Sequence, residues 1–277
     1  MPNRIAIGLV VYRPSINLIR RLQTAIGLNF SIYVFDNSPE DPVMREFCKR
    51  SADSDVKYIT CGKNVGLGVG ISSVCAQAYY DSFPALLFFD QDTVFDHTTL
   101  GFIDDFYKHN DDLASSYSAV WFNAKTFADG EGGAGFIFND VLLSINSGSL
   151  FFLENLKRLN WMNEKFFVDC VDYEFCLNSS NNKFKIGECS NTPGFDHDTE
   201  QEDIRCRVFG KERKLRKYSA DRISSTISAS IRLMFSSIWT RNNAFTAGII
   251  RSLAGYIFWQ LMSRILRVSK NNQGIIK

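Results

Sequence analysis

The sequence predicts an α/β fold, a mostly parallel sheet flanked by helices, followed by a helical and basic C-terminal extension. Three observations carry this. Short strand-like runs alternate with helix-period segments from residue 5 to residue 89, the rhythm of β-α-β units with right-handed crossovers. Polar residues close three of those units: Asp36-Asn37, Lys63-Asn64, and Asp90 with Asp92. The charge is also divided. Residues 205–277 hold 15 Lys/Arg against 2 acids, Glu212 and Asp221, whereas residues 1–204 hold 16 against 28.

The elements follow in order. Residues 5–11 are an unbroken apolar run and predict a buried strand. Tyr12-Arg13-Pro14-Ser15 turns the chain, and Ile16, Leu18, Ile19 and Leu22 then fit one helical face. Residues 32–35 predict the second strand, 42–50 a helix and 56–59 a short third strand. A glycine-rich turn covers 62–70, and a helix follows to about residue 80. Residues 86–89 form the fourth strand and 98–109 a helix. Residues 115–145 read as strands with a glycine-rich loop at 130–135, and Asn146-Ser147-Gly148-Ser149 is a tight turn before Leu150-Phe151-Phe152. The boundaries predicted for the two regions are 1–204 and 205–277.

A chain of 277 residues with 45% apolar and 22% charged residues is globular and can bury a large core. The first apolar run is too short for a signal-peptide core. No uninterrupted apolar stretch reaches the ~18 residues needed to span a bilayer. Seven Cys without regular spacing point to reduced thiols, and Cys170, Cys176, Cys189 and His197 match no zinc-finger pairing.

Chemistry concentrates in two places. Leu86-Leu87-Phe88-Phe89 runs straight into Asp90-Gln91-Asp92. Carboxylates at the carboxyl end of a parallel strand face the crevice where such sheets bind ligands. Two of them, one residue apart, can share a hard divalent cation whose other positions go to water and phosphate oxygens. Further on, Asp169, Asp172 and Glu174 place three carboxylates within six residues. With a helix from Val171, Cys176 and Leu177 face the core and Asp172 faces the cleft. There, against an apolar wall of Phe166 and Phe167, a carboxylate is suited to take a proton.

These residues resemble the family 2 glycosyltransferases with a GT-A fold, a Rossmann-like sheet, and most closely their bacterial rhamnosyltransferase-like members. The resemblance rests on Val10-Val11-Tyr12-Arg13-Pro14, Val34-Phe35-Asp36-Asn37-Ser38, Asn64-Val65-Gly66, Phe89-Asp90-Gln91-Asp92-Thr93, Asn146-Ser147-Gly148-Ser149 and the run from Phe166 to Glu174. They occur in the family's order over about residues 4–200. The resemblance implies that Asp36, with Tyr12 and Pro14, forms the nucleobase and ribose pocket. Asn37, Asn64 and Gly66 line the nucleotide side. Asp90, Gln91 and Asp92 hold the donor diphosphate and a divalent cation, Mg²⁺ or Mn²⁺, with His197 as a further metal ligand. Asp172 is the catalytic base, and Ser147, Gly148, Asp169 and Glu174 lie on the acceptor side. The sequence departs from the family at Val171, where many members carry Glu, at Ser72 in place of Asn, and at Asn178 in place of Arg.

The implied reaction is inverting transfer of a sugar to a lipid-linked glycan in bacterial surface polysaccharide (O-antigen, lipopolysaccharide) synthesis. The D-Q-D-T run is similar to members that use dTDP-L-rhamnose, and UDP-hexoses stay open as donors. The acceptor implied is a polyprenyl-diphosphate-linked glycan. The tail supplies a partner of its own. Ile257, Phe258, Leu261, Met262, Ile265 and Leu266 recur at helical spacing beside Arg264, Arg267 and Lys270, with Trp239, Tyr256 and Trp259 adding amphipathic rings. That pattern predicts a cytoplasmic protein lying peripherally on the anionic inner leaflet of the cytoplasmic membrane. No nucleic-acid-binding motif accompanies the charge. Two other classes stay open at this level. Residues 86–94 also fit the opening motif of a haloacid-dehalogenase-type phosphatase, and a non-catalytic sugar- or lipid-binding module would use the same pocket residues.

Overall fold

The computed structural model describes residues 5–38, 42–51, 55–124, 136–197, 204–208, 211–215 and 217–272. They form two compact units, Met1–Asp198 and Thr199–Lys277.

The first unit opens with β1 (Ile5–Val11), in which all seven residues are buried. After it come α1 (Ile16–Gly27), β2 (Ile32–Asp36), α2 (Pro42–Arg50), β3 (Val56–Thr60), α3 (Leu67–Tyr80), β4 (Ala85–Asp90), β5 (Thr93–Val94) and α4 (His97–His109). The unit continues with β6 (Tyr117–Phe122), β7 (Ile137–Val141), β8 (Ser149–Phe152), α5 (Leu153–Arg158), α6 (Val171–Asn181), β9 (Lys185–Ser190) and β10 (Asp196–His197). Eight strands form one sheet in the order β3-β2-β1-β4-β8-β6-β9-β7. The first four run parallel, β8 is antiparallel to β4 and β6, β6 is parallel to β9, and β7 closes the edge antiparallel to β9. The sheet is therefore mixed, with its parallel half built from the β-α-β units legible in the sequence. The glycine-rich loop expected at 130–135 lies outside the described residues.

The two-residue period of β1 assigns its two faces. Ile5, Ile7, Leu9 and Val11 join Leu18, Leu22 and Ala25 of α1, Met44 and Phe47 of α2, and Leu100, Ile103 and Phe106 of α4 in one apolar cluster. The other face of β1 meets α3, where strand and helix come close. A Cβ on Gly70 would lie 2.6 Å from Val10 Cγ2, and one on Gly8 would lie 3.1 Å from Val74 Cγ2. This explains two departures from expectation. The helix expected after Gly70 starts at Leu67, so Gly68 and Gly70 are contact positions inside it rather than turn residues. Ile16, expected on the buried face of α1, is 63% exposed, because it precedes the stripe that Leu18, Leu22 and Ala25 make. Asp96 caps α4, its carboxylate accepting Thr98 and Thr99 N–H while Thr99 Oγ1 accepts the Asp96 N–H in return.

The second unit contains a hairpin, β11 (Ile204–Val208) with β12 (Lys211–Leu215), and two helices, α7 (Ala220–Trp239) and α8 (Asn243–Asn272). Ser219 caps α7 by accepting the Arg222 N–H at 3.2 Å. The helices pack tightly next to their connection, where Leu233, Ser237, Phe245 and Ile249 are buried and the hydroxyls of Ser237 and Thr246 are 2.8 Å apart. Among the described residues no helix is long and apolar enough to cross a membrane.

Candidate active site

The parallel strands β1, β2 and β4 end along one edge of the sheet, and the chain turns after them create a cleft there. Asp90, the last residue of β4, and Asp92, on the turn to β5, share a cavity of about 310 Å³ with Asp172, from the first turn of α6. Leu67, Ile145, Asn146 and Val168 complete its lining. Residues eighty positions apart thus meet because β4 and α6 both deliver their ends to this edge. The apolar wall differs from the one expected. Phe166 is buried in the core and Phe167 is 53% exposed, and the cavity is faced instead by Leu67, Ile145 and Val168.

The acidic turn is fixed from three directions. Ser147 Oγ accepts the Asp90 N–H at 3.0 Å and lies 2.5 Å from Thr93 Oγ1. Tyr12 N–H donates to Gln91 Oε1 at 2.8 Å. The Arg21 guanidinium donates to the carbonyls of Gln91 and Thr93 at 2.8 and 2.9 Å. Arg21 was not singled out from the sequence. Its signal was a charge three residues after Leu18 and one before Leu22, at the border of the apolar stripe of α1. Ser147 and Gly148, which the resemblance places on the acceptor side, are buried behind this turn. Gly148 has φ +80, and a Cβ there would lie 2.8 Å from the Phe122 carbonyl, so only glycine fits without strain.

The nucleotide-side residues form a second network. Asp36 is fully buried. One of its oxygens accepts the Ser38 N–H and Oγ–H, and the other accepts the Tyr58 hydroxyl, all at 2.7 Å. Its carboxylate thus ties β2 to β3, and Ser38 Oγ in turn accepts the Arg13 N–H. Asn37 reaches the glycine turn, accepting from Val65 N–H and donating to the Gly66 carbonyl, and Asn64 Oδ1 accepts the Gly66 N–H. Gly66 has φ +94, and a Cβ there would sit 2.5 Å from the Phe167 carbonyl. That carbonyl accepts the Leu67 N–H at 2.6 Å, which docks the 163–170 loop onto the start of α3. Ser72, where the family usually carries Asn, accepts the Met162 N–H in the same contact. Tyr12 is exposed and Pro14 buried beside this network.

The loop that reaches the cleft ends at Cys170, whose φ of 63 puts it in the left-handed region. That turn starts α6 one residue before Asp172. Asp172 Oδ1 accepts the Tyr173 N–H at 2.9 Å. Burial raises its pKa to about 6, the Asp169 charge adds to this, and the backbone N–H bonds oppose it. Glu174 points to Asn163, which donates to it at 2.9 Å, and burial raises its pKa as well. Asp90 is pushed up to about 7, first by burial and then by the Asp92 and Asp172 carboxylates. Crowded acids with hard oxygen donors and no neighbouring base in the lining are a site that a divalent cation would relieve. The cavity supplies too few ligands for a closed protein cage, and among the described residues no group of three or more His, Cys, Asp or Glu is arranged to hold a metal. The residues therefore fit a cation shared with a bound diphosphate. The backbone of His197 pairs with Thr93 across β10 and β5, one residue past Asp92. Its side chain lies outside the described residues.

Comparisons with known proteins agree with this construction. Residues 13–155 match the glycosyl transferase family 2 model, just over half of the chain, and the chain belongs to that family. Comparison with the curated proteins by sequence returns no match. Among solved structures, TarS of S. aureus in complex with UDP-GlcNAc is similar with a TM-score of 0.56 at 14% identity, over 73% of this chain and 60% of that one. The longer TarS structure is covered to 37%, so this chain spans less than two thirds of the length of either. The mannosyltransferase PcManGT of Pyrobaculum calidifontis, in complex with GDP-Man and Mn²⁺, has a TM-score of 0.54 at 12% identity, over 92% of this chain and 76% of that one. GalNAc-T7 with UDP, GalNAc and Mn²⁺ also has a TM-score of 0.54, at 11% identity, over 80% of this chain and 46% of that one. These likenesses place the first unit in the GT-A fold, and the family match sets aside the haloacid-dehalogenase reading of the Asp90–Asp92 motif.

Proposed function

We propose that this chain transfers a sugar from a nucleotide-sugar donor to a hydroxyl of a lipid-linked glycan, by a single displacement with inversion. The observation that carries the reading is the shared cavity of Asp90, Asp92 and Asp172 at the carboxyl edge of the sheet. Asp172 takes the proton of the acceptor hydroxyl as its oxygen attacks the anomeric carbon from the face opposite the leaving diphosphate. A pKa near 6 leaves it ionised at neutral pH and basic enough to do so. Asp90 and Asp92 hold a divalent cation, Mg²⁺ or Mn²⁺, which when bound offsets the charge developing on the nucleoside diphosphate. The Tyr12–Pro14 turn, Asp36, Asn37, Asn64 and Gly66 order the nucleotide side. Asp169 and Glu174, flanking the base, face the acceptor, and keeping donor and acceptor in line supplies much of the rate.

The donor proposed is dTDP-L-rhamnose, from the Asp90-Gln91-Asp92-Thr93 run, with a UDP-hexose as the other candidate. The nucleotide sugars in the TarS and PcManGT structures support the donor class. The acceptor proposed is a polyprenyl-diphosphate-linked glycan of bacterial surface polysaccharide, met at the inner face of the cytoplasmic membrane. What supports the location is the basic second unit, whose Phe235, Trp239, Leu261 and Ile265 are exposed apolar side chains.

Thermal stabilisation by a panel of nucleotide sugars, with and without Mn²⁺, tests the donor. One donor should stabilise the protein more than its nucleotide alone, and only with the cation. Equal stabilisation by every nucleotide, or none, would refute the donor-site assignment.

A further inference from the structure

The described part of the second unit holds a site of its own. At the end away from their connection, α7 and α8 part and leave a cavity of about 400 Å³, within the usual range of ligand cavities, about 300–1,000 Å³. Ala220, Ile223, Ser224, Ile227 and Ser228 recur every three to four residues along one wall, and Ile257, Gln260, Leu261 and Arg264 along the other. Small side chains on α7 open the space and branched ones from both helices line it. Leu261 is 56% exposed although it faces this groove.

The polar end of the groove is defined. Arg264 is held across the helix pair: it donates to the Gln260 carbonyl and side chain at 2.8 and 3.2 Å, and to the Tyr218 carbonyl at 3.1 Å. Gln260 Oε1 also accepts the Tyr218 N–H at 3.2 Å. All of these partners are neutral oxygens, so the guanidinium is oriented, and among the described residues no carboxylate pairs with it. From residue 222 to the C-terminus the sequence has no Asp or Glu at all. An apolar trough ending in a fixed cation, in a region of 15 Lys/Arg against 2 acids, is complementary to an amphiphile with an aliphatic tail and an anionic head.

We infer that the α7–α8 groove binds one aliphatic phosphate, its chain between Ile223, Ile227, Ile257 and Leu261 and its phosphate at Arg264. This rests on the reading that the acceptor is lipid-linked, and it assigns the lipid to helices of the second unit.

Farnesyl monophosphate, below its aggregation threshold, is a suitable probe for titration against the full-length chain by calorimetry. Saturable one-to-one binding is expected. Ile227→Glu and Leu261→Glu should each weaken it about tenfold or more, and Arg264→Gln by about fivefold, to the level at which wild type binds farnesol. Inorganic phosphate should not bind at this site. Circular dichroism melting and nucleotide-sugar binding by the same variants report whether they fold. Should a glutamate variant unfold, Ile227→Ser is the milder substitute, with a loss of about threefold expected. Failure to bind farnesyl phosphate overturns the inference, as does equal binding by folded variants. So does association with anionic vesicles alone, which would make the groove part of a surface anchor. A dimer that dissociates in Leu261→Glu also overturns it, by giving the groove to a second copy. Sugar transfer to a soluble acceptor is read separately: transfer without farnesyl phosphate binding removes the groove site and leaves the transferase reading, and binding without transfer does the opposite.

Discussion

Asp90 and Asp92 sit on a turn tied down by Tyr12, Arg21 and Ser147, which come from three separate parts of the chain. Asp172 sits at the open start of α6, where its carboxylate accepts backbone N–H groups of its own turn. The first arrangement fixes geometry, as a site for a cation and diphosphate must, because such ligands tolerate little displacement of their oxygens. The second leaves a raised, partly solvated carboxylate with capacity to accept a proton. The difference separates holding from reacting within one cavity of about 310 Å³.

Crossed substitutions break or sharpen that contrast. The largest effect is expected from Asp172→Asn, which should lower turnover by about 10²–10⁴-fold while leaving cation-dependent nucleotide binding intact. In the wild type, kcat should fall about tenfold per pH unit below about 6, as Asp172 protonates. A flat profile or a near-normal Asp172→Asn would remove Asp172 from the role of base. Next comes Arg21→Met, which leaves two carbonyls of the acidic turn without their donor. A stability loss of about 1–3 kcal/mol by urea unfolding is expected. The Mn²⁺ concentration needed for half-maximal nucleotide binding should rise about tenfold. Unchanged cation dependence would make Arg21 merely structural.

Asp90→Asn should act in the opposite direction on stability. A carboxyl whose pKa is raised by folding stabilises the fold while protonated. Its contribution is complete below about pH 4 and is lost as pH rises through about 7 for Asp90 and about 6 for Asp172. In EDTA at pH 7.5, Asp90→Asn should therefore melt about 3 °C or more above wild type, with the gap closing at pH 4. A lower melting point at pH 7.5 would show that the acids are not in conflict. The smallest effect is expected from Ser147→Ala, about 1 kcal/mol for the Asp90 N–H left without its acceptor. The acceptor KM should be unchanged, because the hydroxyl faces Asp90 and Thr93. A raised acceptor KM would move Ser147 back to the acceptor side.

The parallel half of the sheet was legible because each strand there is buried on both faces and reads as an apolar run, as in residues 5–11 and 86–89. The mixed half was less so. Strand β7 carries Asn139 and Asp140 at an exposed edge, and β8 has only four residues, so neither length nor period marks it. Asp90, Asp92 and Asp172 could be named from their spacing and their place after a strand or before a helix. The clamp from Arg21 could not, since its partners are backbone carbonyls that carry no sequence signature. The start of α3 differs from expectation for a related reason: Gly68 and Gly70 read as turn-formers by local propensity, whereas they lie inside the helix and are glycine because Phe166 and Val10 leave little room for a Cβ.

The order of acids and apolar runs along the polymer was enough to determine the α/β class, the family and the identity of the cleft carboxylates, because burial periodicity and strand-end chemistry are local properties. Which neutral groups hold those carboxylates, how far burial raises Asp90 and Asp172, and where α7 and α8 open beside Arg264 were decided only in three dimensions. Desolvation and hydrogen bonding depend on neighbours that the chain brings in from many residues away.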